Sequence, residues 1–411
     1  MAPSARPRPF APGLLFAVAA LFLSGGNERA DARPQESASK SLIYAGWYGN
    51  TIPTPSYIAE NFGFLETLPF NGLVVYVRNP SLTINASQGV MSKVAISYAE
   101  ISTALNPIKN LPFSRLRDNF AYVVGNSPPD FFDDWTIPIG NFANLARALK
   151  HAGLKGIFLD NEQYSFFTHW AEYPGAVAYP ATPLDEYEAQ ARLRGKQVME
   201  AMVAEFPGIV MLSLHGPYVS EPDAPWQLCF PEAIPQNALM GPFFSGFYQG
   251  RGASATIVDG GEFYGLRTAS DFTGNALWRK NDFASDTVDC SFLPAADRVT
   301  WSSTIKVGFG VYDLPFGGID MNPHIMTSTL RYALDNADRY AWFYTEGMTF
   351  LRPESQGGAP EVWVNAVRAV NFPGRDDSEE SSSGCGLLGI EVIPLFLVLD
   401  RRRSKPRRLS P

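Results

Sequence analysis

Eight short runs rich in β-branched and aromatic residues alternate with helical stretches along most of the chain. This alternation is typical of an α/β protein with a parallel sheet and crossover helices. Eight runs with none left over favour a closed (β/α)8 barrel, the TIM barrel, over an open doubly wound sheet. The predicted strands are 42–47, 72–77, 120–124, 156–160, 209–214, 244–248, 307–312 and 340–345.

Three segments between these runs carry clear helix signals. Apolar residues recur at helical spacing over 142–149, and Gly153 supplies a stop before the next strand. Thr182-Pro183 and Asn322-Pro323 each combine an N-cap residue with a proline suited to the first helical position. Each signal stands between two predicted strands, where a barrel requires a crossover helix.

Composition narrows the class of partner. Of 411 residues, 18% are charged and 13% aromatic, so the chain can bury a large core and still expose rings. The formal net charge of -8 offers no basic footprint. Nucleic acid is therefore not an expected partner, and a neutral or basic ligand fits better.

Motifs for several common chemistries are missing from the sequence. The four histidines stand at positions 151, 169, 215 and 324 without a His-x-His or His-Glu-x-x-His pair. There is no Gly-x-Ser-x-Gly elbow, phosphate loop or dinucleotide fingerprint. We therefore predict no metal and no cofactor, and no serine-hydrolase, nucleotide or NAD chemistry.

The clearest chemical motif is Asp160-Asn161-Glu162, which ends an apolar strand. Barrels place catalytic side chains at strand ends, and alternation points Asp160 and Glu162 to one side if the strand continues. Two carboxylates so close should have different pKa values, leaving one protonated as an acid and one charged. The alternative is structural, with Asp160 capping the next helix and Glu162 in solvent.

Three more carboxylates follow predicted strands. Glu346 follows the eighth strand, Glu262 lies between glycines and aromatics in the sixth loop, and Asp313 ends the seventh strand. Glu346 and Glu262 are the candidate partners of Glu162, and Asp313 is a candidate substrate contact. For each of them a turn or capping role is the alternative.

Further candidates for substrate binding lie at other strand ends. His215 follows the fifth strand and is suited either to hydrogen bonding with a substrate or to a structural role. Trp47, Tyr48, Tyr164 and Tyr264 offer flat rings beside the acids, and Asn161 offers an amide. Such rings suit the faces of sugars.

The two ends of the chain differ in composition from the body. Residues 1–32 have the n-region, short apolar stretch and small-residue cleavage site of a secretory signal. A linker at 33–41 precedes the barrel at 42–373, and 374–383 is an acidic, Ser-rich linker. Export would permit a disulfide, for which Cys229 and Cys290 are available.

Residues 384–411 combine a Gly-Cys-Gly element, a short apolar segment and an Arg cluster. This arrangement resembles the C-terminal sorting signals of exported bacterial proteins. The resemblance implies cleavage by a sorting protease and attachment to the membrane or cell envelope through Cys385. A weak membrane anchor is the alternative, because the apolar segment is shorter than the ~20 residues of a spanning helix.

The body resembles a family of uncharacterised bacterial barrel proteins that are usually described as glycoside hydrolases. The resemblance rests on 156–164, 186–205, 257–264 and 340–347. Asn161-Glu162 is also similar to the acid/base pair of retaining barrel glycosidases, which implies a separate nucleophile on the seventh strand, where this chain has Asp313. Asp160-x-Glu162 is similar to the acidic strand of chitinase-like barrels, which implies that the substrate's acetamido group attacks.

These observations together predict an exported enzyme that cleaves a glycosidic bond in a poly- or oligosaccharide. Glu162 is the expected general acid/base, Asp160 tunes it, and Glu346 or Glu262 is the second carboxylate. A surface-displayed carbohydrate-binding barrel without catalysis is the main alternative. A polymer-cleaving barrel that works by elimination, with Tyr or His as its base, is a third.

Overall fold

The computed structural model describes residues 40–47, 52–81, 83–162, 169–220, 237–284, 293–318 and 320–372, and these contain a nine-stranded parallel sheet. Its order is β7-β6-β5-β4-β3-β2-β1-β9-β8. The strands are β1 (Ser41–Gly46), β2 (Gly72–Val75), β3 (Phe120–Val124), β4 (Gly156–Asp160), β5 (Val210–Ser213), β6 (Thr256–Asp259), β7 (Lys306–Val307), β8 (Phe309–Tyr312) and β9 (Tyr340–Thr345).

The two ends of this order close the sheet into a barrel. β7 pairs with β6 and β8 pairs with β9, while Gly308 alone separates β7 from β8 along the chain. They are two parts of one seventh strand that changes partner at Gly308. The predicted (β/α)8 barrel is confirmed, with eight strands in this sense.

Helices separate most of the successive strands. The assignment of crossover helices from 142–153 and Asn322-Pro323 is confirmed, since Gly153 ends its helix at φ 79° and Asn322 accepts from His324 N and Ile325 N. The helices are α1 (Pro55–Glu60), α2 (Phe62–Leu65), α3 (Ala86–Gly89), α4 (Tyr98–Leu105), α5 (Thr136–Ala152), α6 (Leu184–Glu205), α7 (Met240–Gly250), α8 (Ala269–Leu277), α9 (Ala295–Thr304), α10 (Pro323–Asn336) and α11 (Glu361–Asn371).

The predicted sixth strand at 244–248 was wrong. These residues lie in α7, and the sixth strand is β6, which lies in the segment that the sequence analysis assigned to the sixth loop. Glycines explain the helix: a Cβ on Gly195 of α6 would lie 2.0 Å from Phe243 O, and one on Gly246 would lie 2.1 Å from Arg192 O. Because the backbones of α6 and α7 approach so closely, the apolar run at 244–248 packs against α6 as part of a helix.

Buried side chains form one cluster outside the sheet and a smaller one inside the barrel. Alternation along β4 decides which residues face inwards: Ile157 and Leu159 belong to the outer cluster, and Phe158 belongs to the inner one. Asp160 follows Phe158 by two residues and shares its face. The strand that fills the barrel therefore ends in a carboxylate aimed at its open end.

No helix among the described residues has both the length and the apolar character to cross a bilayer. The division into secretory signal, linkers, barrel and C-terminal tag stays a prediction, because the signal and the tag lie outside those residues.

Candidate active site

A cavity of about 620 Å³ opens where the barrel strands end. Its volume lies in the range of small-molecule sites, and the carboxyl ends of strands are where barrels build such sites. The lining residues are Ala45, Gly46, Trp47, Ile52, Val74, Gln88, Tyr122, Phe158, Asp160, Glu162, Leu214, Glu262, Tyr264, Tyr312, Pro315, Phe316, Trp342, Tyr344 and Glu346.

Glu162 and Glu262 line this cavity, and His215 contacts both of them. His215 Nε2 lies 3.6 Å from Glu162 Oε1 and 3.1 Å from Glu262 Oε2. One polar atom of each residue lies within 4.8 Å of the others. The three residues follow β4, β5 and β6, which are neighbours in the sheet, so their convergence is a consequence of strand order. We call them the Glu-His-Glu cluster.

The cluster favours a protonated imidazole. Burial alone lowers the pKa of His215, but its contacts with Glu162 and Glu262 outweigh burial and raise the pKa to about 10. Burial raises the pKa of Glu262, and His215 and Tyr264 oppose part of that rise. The Tyr264 hydroxyl donates to Glu262 Oε1 at 2.5 Å. At neutral pH the cluster therefore holds one positive charge beside two acids.

The two glutamates differ in their access to water. The Glu162 side chain is 37% exposed, and the Glu262 side chain is 11% exposed. An exposed carboxyl group can exchange protons with solvent, whereas a buried one with fixed donors is held in a single position. The pair therefore provides one group suited to proton transfer and one suited to direct contact with a substrate.

Asp160 lies beneath Glu162 as a buried acid. Tyr122 donates its hydroxyl to Asp160 Oδ2 at 2.7 Å, and the Glu162 backbone N–H donates to Asp160 Oδ1 at 3.1 Å. Burial, together with the charges of Glu162 and Glu262, raises the pKa of Asp160 to about 7. A carboxyl group whose charge changes near neutral pH can tune the acid beside it.

Asn161 has a different position from the one expected of a substrate contact. Its Nδ2 donates to the backbone carbonyl of His215 at 3.0 Å, and its Oδ1 accepts from the His215 backbone N–H at 3.1 Å. The side chain is buried. Asn161 therefore ties the ends of β4 and β5 together and fixes the backbone of His215; the substrate contact stays a prediction.

The spacing of the Glu-His-Glu cluster would also suit a metal ion. Two carboxylate oxygens and one imidazole nitrogen within 4.8 Å of one another form a mixed ligand set. The expectation of no metal rested on linear histidine motifs, which cannot detect ligands from three separate strands. A bound ion would require His215 to give up its proton.

Asp313 caps a turn. Its Oδ1 accepts from the Glu346 backbone N–H, and its Oδ2 accepts from those of Gly347 and Met348, at 2.9, 2.9 and 3.0 Å. Burial raises its pKa to about 6. Asp313 is absent from the cavity lining, so the turn role that sequence left open describes its contacts, and its predicted substrate contact finds no geometric support.

Glu346 is exposed and lines the same cavity. Tyr312 donates to its Oε2 at 2.5 Å and Tyr344 donates to its Oε1 at 2.6 Å. Burial and this carboxylate raise the pKa of both tyrosines. The two phenols hold Glu346 in a fixed orientation at the cavity mouth.

Aromatic rings form two walls of the cavity. Tyr264, Tyr312 and Tyr344 stack with interplanar angles of 26°, 8° and 18°, and we call them the tyrosine wall. Across the lining, the Trp47 ring lies 5.5 Å from that of Tyr122. The predicted aromatic candidates Trp47 and Tyr264 therefore do line the cavity.

A buried ion pair that the sequence analysis did not predict supports the turn that carries Glu262. Arg279 Nη1 lies 3.1 Å from Asp259 Oδ1, and Tyr218 donates to the same oxygen at 2.7 Å. The Gly261 N–H also donates to Asp259 Oδ1, at 3.2 Å. Arg279 is 20 residues from Asp259, so no local pattern connects them.

Several predicted residues lie outside the described part of the chain. They are Tyr48, Tyr164, Cys229, Cys290 and Cys385. Their assigned roles in substrate contact, disulfide formation and processing stay predictions.

No family model matches the sequence, and no curated protein matches it. Similar solved structures include a broad-specificity endoglucanase from an uncultured bacterium, at 10% identity and TM-score 0.45, covering 82% of this chain and 94% of that one. A β-mannanase from the blue mussel Mytilus edulis has 9% identity and TM-score 0.39, with 78% and 85% covered.

A third solved structure is a 3-keto-D-glucoside 4-epimerase from E. coli, at 14% identity and TM-score 0.38, covering 80% of this chain and 99% of that one. Glycoside hydrolases are thus among the structural neighbours, but an epimerase is among them too. The reaction of this chain must be argued from its own residues.

Proposed function

We propose that the protein is a retaining glycoside hydrolase in which Glu162 is the general acid/base and Glu262 is the nucleophile. The observation that carries the proposal is that carboxylate oxygens of the two residues lie within 4.8 Å of each other at an aromatic-walled cavity. Retaining enzymes hold their two carboxyl groups about 5–5.5 Å apart, and inverting enzymes about 6.5–9.5 Å apart. The nearest oxygens of Glu162 and Glu262 lie closer together than the inverting range, and we take this short approach as support for retention.

In the first step Glu262 attacks the anomeric carbon while Glu162 gives its proton to the glycosidic oxygen, and the C–O bond to the leaving group breaks. In the second step water attacks the glycosyl ester, Glu162 takes the proton from that water, and Glu262 is released as a carboxylate. Protons and electron pairs balance over the two steps without a further reagent.

Exposure and hydrogen bonding support this division of roles. Glu162 reaches solvent and can reload its proton, whereas Glu262 is fixed by Tyr264 and by the charge of His215. His215 would stabilise Glu262 as a carboxylate before attack. Asp160 would act on Glu162 by its own charge when it ionises, and it accepts a hydrogen bond from the Glu162 backbone N–H.

The competing assignments have weaker geometric support. Asp313 gives both oxygens to a backbone turn, and Glu346 gives both to tyrosines at the rim. Attack by a substrate acetamido group would need Asp160 to orient that group, but the Asp160 side chain is buried and is held by Tyr122. Glu262 is therefore the preferred nucleophile.

The test is azide rescue with activated aryl glycosides of several sugar configurations. Glu262→Ala with azide should give a glycosyl azide of inverted configuration, and Glu162→Ala with azide should give one of retained configuration. Glu60→Gln, an exposed glutamate outside the cavity lining, is the control variant. Full activity of Glu162→Ala without azide contradicts the assignment. If the wild-type protein binds sugars but hydrolyses none of the glycosides, a carbohydrate-binding barrel is favoured.

We also propose that the protein is exported and attached to the cell envelope through its C-terminal tag. The support is the sequence pattern of residues 1–32 and 384–411 alone. Intact-mass analysis of the natural protein tests both parts. A mature chain that begins near residue 33 and ends near Cys385 is expected, and unprocessed termini contradict the proposal.

A further inference from the structure

Acidic groups outnumber basic ones around the cavity. Four carboxyl groups line it, from Asp160, Glu162, Glu262 and Glu346, and no Lys or Arg stands among its described lining residues. His215 contacts two of these acids, Glu162 and Glu262. When all four carboxyl groups are ionised, the cavity has a net negative charge even with His215 protonated.

Between residues 42 and 373, the segments outside the described residues add no basic side chain that could offset these acids. Positions 48–51, 82, 163–168, 221–236, 285–292 and 319 contain no Lys, Arg or His. Their ionisable acids are Glu221, Asp223, Glu232, Asp286 and Asp289. Wherever these segments lie, they bring no positive side chain to the cavity.

Glu346 is the acid best placed to meet a charged substituent. It is exposed at the rim, and its oxygens accept from Tyr312 and Tyr344, so its direction is fixed while its charge stays unneutralised. Within the described residues no Lys, Arg or His forms an ion pair with it. Each carboxylate oxygen keeps a second lone pair for another donor.

We propose that the substrate is an amino sugar with a free, protonated amine, which pairs with Glu346 while its ring lies against the tyrosine wall. This inference rests on the proposed glycosidase function and names the substrate class of the same cavity. A uronic or sulfated sugar would meet like charge from every ionised acid in the lining, which is destabilising at short distance. A neutral sugar would leave the negative charge of the cavity unbalanced.

The experiment is calorimetric binding to the whole chain at about pH 6, below the ordinary pKa of such amines. The probes are oligomers of glucosamine and of galactosamine, each matched with its N-acetylated counterpart of equal length. Binding is read without hydrolysis, so the result does not depend on the catalytic assignment. Glu346→Gln is compared with wild type, and Glu60→Gln is the matched control.

We expect at least one amine oligomer to bind about tenfold more tightly than its acetylated partner. Glu346→Gln should weaken amine binding about five- to tenfold more than it weakens acetylated binding, and Glu60→Gln should change neither. Added salt should weaken amine binding in wild type more than in Glu346→Gln.

Preference for the acetylated oligomers, or no amine-dependent binding in either series, overturns the inference. So does amine binding that disappears with EDTA, because the ligand would then bind through a divalent ion and not through Glu346. Hydrolysis that depends on Glu162 and Glu262 but prefers neutral sugars would leave the glycosidase proposal standing and remove this one.

Discussion

The two sides of the cavity use the same residue types for different purposes. On the β4–β6 side, Glu162 and Glu262 meet His215, and their acid–base state is set by one another. On the β8–β9 side, Asp313 accepts hydrogen bonds from three backbone N–H groups, and Glu346 accepts them from two tyrosine hydroxyls. Each acid follows a strand, yet one pair faces a cavity in a charged cluster and the other organises a turn and a rim.

Position at a strand end therefore does not by itself make an acid catalytic. What separates the two sides is the identity of the hydrogen-bond donors. Backbone N–H donors cannot move or give up a proton, so they commit Asp313 to a structural role, whereas the imidazole shared by Glu162 and Glu262 is titratable. The following variants test this contrast.

Glu262→Gln should lower kcat by about a thousandfold or more, because the nucleophile of the proposed reaction is lost. Thermal stability should fall as well, because the His215 imidazolium loses one of its two carboxylate partners. Steady-state kinetics and thermal unfolding on the same samples are the measurements. Glu346→Gln should keep kcat within about tenfold; equal losses in the two variants would erase the contrast between the two sides.

Asp313→Ala should destabilise the fold by about 2–4 kcal/mol, because three backbone N–H groups lose their acceptor. Urea unfolding monitored by circular dichroism measures the loss. The exposed neighbour Asp320→Ala is the control and should stay within about 0.5 kcal/mol. If Asp313→Ala were as stable as wild type and lacked only activity, Asp313 would belong with the catalytic acids.

The contribution of His215 to stability should depend on pH. Its folded-state pKa is raised from 6.5 to about 10, so the stabilisation it gives is fully present below pH 6.5 and lost as pH rises through about 10. The gap in melting temperature between wild type and His215→Asn should therefore narrow from pH 7 to pH 10. A gap that stays constant or widens would show that the imidazole is not held charged by the two glutamates.

Tyr312→Phe should have the smallest effect, since it removes one exposed hydrogen bond to Glu346. We expect a stability change below about 1 kcal/mol and an increase in KM of a few-fold with kcat unchanged, because the second phenol still holds the carboxylate. Initial-rate kinetics over a substrate series checks this. Tyr98→Phe, which removes an exposed phenol outside the cavity, is the control.

Much of the fold could be predicted because strands and helices carry local signals. Runs of apolar β-formers gave seven of the barrel strands, and the Gly153 stop and the Asn322 cap fixed helix ends. The sixth strand was misplaced because β6 has only four residues, while the longer apolar run at 244–248 packs as a helix. Glycine contacts between α6 and α7 are tertiary, so no window of sequence reveals them.

The residues of the candidate site could be predicted from the sequence, but their contacts could not. The strand-end rule placed Glu162, Glu262 and His215 on one edge, and the structure brings them together. It gave Asn161 and Asp313 the same standing, although their partners are backbone groups 54 and 33 residues away. Which donors reach a carboxyl group is decided by the packing of loops, and that information is not local.

The partner change at Gly308 joins the closure of the barrel to the turn that bears Glu262. Gly308 N donates to Asp259 O, Gly310 N donates to Gly261 O, and Arg279 donates to Gly308 O at 2.8 Å. In a hydrogen-exchange experiment, the amides of Gly308 and Gly310 should exchange together with those of the turn after β6, as one cooperative unit. The position of Glu262, the nucleophile of the proposed reaction, would then depend on the hydrogen bonds that close the barrel at Gly308.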